Sequence, residues 1–123
     1  MRARDAFRIS PTGTNPFTVL GSLRADIRKP YFSTLPALEL MDFNSGASAN
    51  KVGIPGKTPV GGWYTVSLNS TGLKNINKLG TTQLRLYFSL DDNNNHVADY
   101  VSFFSGDAGG ADAPTLTVYY TVP

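Results

Sequence analysis

Cysteine is absent from the 123 residues. No disulfide can staple the fold, and no thiolate can serve as a nucleophile or a metal ligand. Histidine occurs once, as His96, and glutamate once, as Glu39. A serine triad would need that one histidine beside a nucleophile and an acid. Ser102 and Ser105 are near in sequence, but no G-x-S-x-G motif accompanies them. Asp91, Asp92, Asp99 and Asp107 are the only cluster from which a glycosidase pair could be drawn, and Glu39 lies in another segment. No enzyme activity is expected. No apolar run reaches the roughly 18 residues that cross a bilayer, so no membrane span is expected. Met1-Arg2-Ala3-Arg4 is basic but no apolar stretch follows, so no signal peptide is read here.

Beyond Arg85 there is neither lysine nor arginine. Residues 1–57 carry eight Lys/Arg and four acids, a balance of +4. Residues 58–90 carry three basic residues and no acid, giving +3, and residues 91–123 carry five Asp, giving −5. Such a front and end can steer partners or a cation; equally, oppositely charged strands can lie side by side and cancel. The low net charge of +2 and the acidic last third argue against nucleic acid. Apolar residues make up 41% of the chain. That is globular composition, and a single domain over residues 1–123 is expected. A chain of this size buries roughly two thirds of its unfolded surface.

Period-two alternation is the main structural signal. In TTQLRLYFSL the apolar side is Leu84, Leu86, Phe88 and Leu90, and the other side is Gln83, Arg85, Tyr87 and Ser89. GSLRADIRK alternates Leu23, Ala25 and Ile27 with Arg24, Asp26 and Arg28. GWYTVSLN aligns Tyr64, Val66 and Leu68; PTLTVYYTV aligns Leu116, Val118 and Tyr120; DAFRIS aligns Phe7 and Ile9. ADYVSFFS is apolar on both sides, as a central strand would be. Asn15-Pro16, Lys29-Pro30, Pro55-Gly56 and Gly61-Gly62 read as turns. STGLKNINKLG predicts one short helix near residues 71–78, capped by Ser70 or Thr71 and stopped by Gly80. PALELMDF fits either a single turn or a strand. The pattern predicts an all-β, antiparallel β-sandwich of jelly-roll type.

SLDDNNNHVADYVSFFSGD, residues 89–107, carries the one candidate metal site. Asp91, Asn93 and Asn95 alternate like the first ligands of a calcium loop. An EF-hand then needs Gly at the sixth position and Glu at the twelfth, where this chain has His96 and Ser102. A looser Ca²⁺ cage of Asp91, Asn93, Asn95 and Asp99 remains open. So does a plain polar turn, since Asp and Asn side chains bond their own backbone.

The stretch GGWYTVSLNSTGLKNINKLGTTQLRLYFSLDDNNNHVADYVSFFSGDA, followed by PTLTVYY, is similar to the C-terminal part of the DNRLRE, or disaggregatase-related, domains. NPFTVLGSLRADI and DFNSGASANKVG fit the same pattern earlier in the chain. The resemblance implies a non-catalytic, extracellular or cell-surface module related to carbohydrate-binding modules, often one part of a larger protein. It supplies no ligand. The first strands of that family's sandwich have no counterpart before DAFRIS.

Two kinds of partner follow. Sugars stack on exposed aromatic rings flanked by polar groups. Trp63, Tyr87 and Tyr119, with Arg85 beside them, are the candidate carbohydrate-binding residues. The alternative is a structural or assembly unit that binds only protein. Sheet edges left without their usual neighbours recruit other strands, so a homo-oligomer, most simply a two-fold dimer, is expected.

Overall fold

The computed structural model describes the backbone of residues 2–4 and the whole of residues 15–121. Its centre is a three-stranded antiparallel sheet ordered β3-β2-β5, where β2 is Leu23–Arg28, β3 Ala49–Gly53 and β5 Gln83–Phe88. A separate ribbon pairs β1 (Arg2–Arg4) with β4 (Trp63–Thr65). All pairings are antiparallel, as the alternation predicts.

The β2–β5 register sets Leu23 opposite Phe88, Ala25 opposite Leu86 and Ile27 opposite Leu84. It also sets Arg24 opposite Tyr87, Asp26 opposite Arg85 and Arg28 opposite Gln83. Because side chains alternate along a strand, the first three pairs share one face and the last three share the other. The apolar face is the core. Ala25, Ile27 and Val52 are fully buried, with Leu68, Ile76, Leu84 and Leu86 packed on them. Phe17, Leu23 and Tyr64 form a second cluster, joined by Phe88, Val101 and Phe103. Phe17 stacks on Tyr64 at 5.4 Å between ring centroids, and Phe103 meets Tyr64 edge-on at 5.7 Å.

Helices are short. α1 (Pro16–Val19) is a single turn in which the Asn15 side chain accepts the Phe17 N–H and proline fills the first position. Asn15-Pro16 reads as a turn in sequence, but the cap and the proline together start a helix. α2 (Ser70–Lys74) is shorter than the predicted 71–78 and is capped by Asn69, not by Ser70 or Thr71. It ends early because asparagines take over the backbone groups. Asn75 donates to the Thr71 carbonyl, and Asn77 accepts from Leu79 N–H. Ile76 still reaches the core, but Leu79 is wholly exposed. PALELMDF contains a 3₁₀ turn at Leu40–Phe43, the first of its two readings. Gly61 and Gly62 both have positive φ, between Val60 and Trp63, which bridge across them: the backbone of a tight hairpin turn.

Two expected strands are not formed. ADYVSFFS is an irregular segment that contributes Val101 and Phe103 to the core, with a single bridge at Phe103. PTLTVYYTV has a bridge at Thr115 and no ladder over residues 116–121. Alternation supplies two faces, but a strand also needs a neighbour to bond. DAFRIS lies outside the described residues. β3 has a weak sequence signature because ANKVG has only Val52 as a strong strand former, with Gly53 admitted by close approach: a Cβ there would lie 2.9 Å from the Ser67 carbonyl oxygen.

β3 joins β2 through a bulge. Ala25 faces Gly53 and Ile27 faces Ala49, so three residues oppose the single Asp26. Lys51 takes a φ of 51° there, and its N–H donates to Asp26 Oδ1 at 2.8 Å. Asp26 is only 2% exposed, and its Oδ2 accepts from Arg85 Nη2 at 2.8 Å. Removing one partner leaves a buried charge alone, which costs about 3–5 kcal/mol. Arg85→Met should therefore destabilise the domain by about that amount in urea denaturation. The Asp26→Asn, Arg85→Met double variant should lose less than the sum of the two single changes, because the stranded charge is gone.

Candidate functional site

The polar face of β2 and β5 lies beneath the segment spanning residues 29–48. Arg85 holds the two together. Its Nη1 is shared among the carbonyls of Asp42 (2.7 Å), Ser45 (2.9 Å) and Phe43 (3.2 Å). Its guanidinium carbon sits 4.5 Å from the centroid of the Phe32 ring, a cation–π contact. Gln83 adds two more ties: its Oε1 accepts the Phe32 N–H at 2.8 Å and its Nε2 donates to the Pro36 carbonyl at 2.7 Å. Glu39 folds the segment on itself. Its carboxylate accepts the Thr34 hydroxyl and the N–H groups of Thr34 and Leu35, and these bonds, the hydroxyl's foremost, hold its carboxyl below the usual range.

This overhang leaves a groove of about 490 Å³ lined by Phe32, Pro36, Leu38, Phe43 and β5. Four consecutive β5 residues, Gln83 to Leu86, reach it. Their side chains alternate between faces, so a cavity that meets all four runs along the strand's edge. β2 occupies the other edge. Among the described residues, no backbone hydrogen bond leaves β5 on the groove side. The rim is apolar: Leu35, Leu38, Leu40, Met41 and Phe43 are all exposed, Leu38 at 82% and Leu40 at 86%. Asp42 also lines the groove, but its Oδ1 is shielded from solvent without a partner among the described residues, and its Oδ2 caps the Glu39 N–H at 2.9 Å. Sequence pattern did not reveal this site. PALELMDF held the signal, an apolar run too short and too polar-interrupted for a core element.

The expected carbohydrate residues occupy different places. Tyr87 and Arg85 share the polar face of β5. Trp63 lies on β4 and is half-buried. Tyr119 lies in the segment without a ladder, 93% exposed. Arg85 is committed to Asp26 and three carbonyls. Tyr87 is engaged too: burial pushes its phenol up from 10.0, as do the charge of Asp26 and a hydrogen bond with it, while Arg24 acts in the opposite direction.

In the 91–99 loop, side chains serve the backbone. Asp92 accepts from Asn94 N–H (2.8 Å), Asn93 from Asn95 N–H (3.2 Å) and Asn95 from Val97 N–H (2.8 Å). Each is a side-chain-closed turn, and Asn94 and His96 take the positive φ that such turns use. Asn93 Nδ2 donates to Asp99 Oδ2 at 2.7 Å, so Asn93, Asn95 and Asp99 have all engaged an oxygen that a cation would need. Among the described residues no three His, Cys, Asp or Glu side chains converge as metal ligands.

Two measurements follow. The turn geometry predicts the same melting temperature in Ca²⁺ and in chelator, whereas a site saturated a hundredfold would add about 2.7 kcal/mol. The second concerns Tyr87. A phenol whose folded pKa is raised contributes stability that is complete below the unfolded value of 10.0 and is lost as pH rises through the folded value. Tyr87→Phe should thus flatten the alkaline fall in stability above about pH 10, read by urea midpoints.

Comparison with protein-family models, with curated proteins and with solved structures found no match to this chain.

Proposed function

We propose that the chain is a non-catalytic adhesion module of a larger extracellular or cell-surface protein, and that its groove binds an extended polypeptide. In this reading the three-stranded sheet is part of a jelly-roll β-sandwich whose remaining strands come from elsewhere. The observation that carries it is the groove along β5: an open strand edge beside an apolar wall. Edge and wall together suit strand addition, in which backbone hydrogen bonds hold the guest and side-chain pockets select it. The polar groups that would choose among sugar hydroxyls, Arg85 and Gln83, already bond the 29–48 segment. The exposed rim of Leu35, Leu38, Leu40, Met41 and Phe43 favours an apolar guest over a hydrated one.

Carbohydrate is the second reading, and the exposed Tyr119 ring favours it as a stacking surface. A glycan array separates the two. The polypeptide reading expects a blank array and binding of extended hexapeptides of alternating Thr and Val or Leu, measured by fluorescence anisotropy. Phe43→Asp should weaken that binding at least tenfold without changing the melting temperature. A glycan captured by the wild type and lost in Tyr119→Ala, with no peptide bound, would replace the first reading by the second.

A further inference from the structure

We propose that the guest strand of the groove is residues 116–121 of a second copy of this chain, added to the outer edge of β5 between that strand and the 32–43 wall. The inference rests on the polypeptide reading and names its partner. Three independent features point to the same occupant.

The first is pattern. LTVYYT alternates Leu116, Val118 and Tyr120 with Thr117, Tyr119 and Thr121, and it contains no charge, proline or glycine to oppose pairing. Residues 116–121 have no ladder partner among the described residues, and the side chains of Leu116, Val118, Tyr119 and Tyr120 are exposed.

The second is fit. β5 and the guest are both six residues long. Placed beside β5, Leu116, Val118 and Tyr120 continue the face of Leu84, Leu86 and Phe88. Thr117, Tyr119 and Thr121 continue the face of Gln83, Arg85 and Tyr87. A shift by one residue would reverse both faces, so the alternation itself selects the register's parity.

The third is charge. Residues 1–90 carry eleven Lys/Arg against four acids, a balance of +7, while residues 91–123 carry −5. The body of one copy therefore attracts the end of another. Each chain offers its 116–121 segment and its β5 edge, so a reciprocal exchange closes a two-fold dimer and leaves neither of the two unused.

Light scattering of the whole chain at micromolar concentration should give twice the 13.3 kDa chain mass. Val118→Pro removes a ladder N–H outside the core, and it should halve that mass while the fold, followed by circular dichroism, still melts cooperatively. A free peptide spanning residues 114–121 should compete and release monomer. The chain has no cysteine of its own, so a mixture of Leu38→Cys and Tyr119→Cys copies should form a mixed disulfide under mild oxidation. A wild-type monomer across the micromolar range would overturn the proposal. So would a dimer indifferent to Val118→Pro and to the peptide. If the alternating hexapeptides bind and the chain is nevertheless a monomer, the groove keeps its function and this partner is wrong. If no peptide binds even the Val118→Pro chain, whose groove has lost its guest, both fall.

Discussion

The guanidinium of Arg85 is the point on which the polar half of the molecule depends. One side chain pairs with the buried Asp26, gathers three carbonyls from residues 42–45 and packs on the Phe32 ring. Asp26 in turn satisfies the N–H left over by the bulge in β3. A bulge, a cross-strand pair and a covering segment are thereby made interdependent. The desolvation cost of burying two charges is offset only when their remaining donors and acceptors are satisfied, which is the arrangement here. The groove exists because this cover stands off from the strand edge on its Arg85 and Gln83 ties.

The two strands with the strongest alternation, β2 and β5, are legible because β2 buries Leu23, Ala25 and Ile27, β5 packs Leu84, Leu86 and Phe88 on the core, and the two bond each other, so pattern and pairing agree. Leu23, Ala25 and Ile27 face inward as the spacing requires. Residues 116–121 carry the same alternation and form no ladder among the described residues. Periodicity reports which faces a segment could have and is silent on whether a neighbour exists. The ADYVSFFS stretch shows the converse: Val101 and Phe103 pack on the core from an irregular backbone. The helix boundary was misplaced because Asn69, Asn75 and Asn77 compete for backbone groups, a local contest that hydrophobic spacing does not register.

The candidate site was less legible than the fold. Arg85 and Tyr87 were expected on a polar face, and they are there, but their partners come from residues 24, 26 and 42–45, which no spacing rule connects to β5. A ligand-like side chain and a structural clamp have the same letter in a sequence. The loop at residues 91–99 illustrates the same ambiguity. Alternate Asp and Asn place oxygens equally well for a cation and for a succession of turns, and here the oxygens bond the backbone.

The Arg85 ties also bear on how the chain reaches its fold. They join residues 40, 43 and 59 positions apart, and the β2–β5 pairing spans similar distances. Closing such loops costs entropy before any contact compensates it, so a domain built this way acquires its order late and together. α1, α2 and the Gly61-Gly62 turn are local and form without that cost. The covering segment has one 3₁₀ turn and local bonds around Glu39, but its placement over β5 depends on the guanidinium. Time order thus follows topology: the sheet first, and the wall of the groove after it.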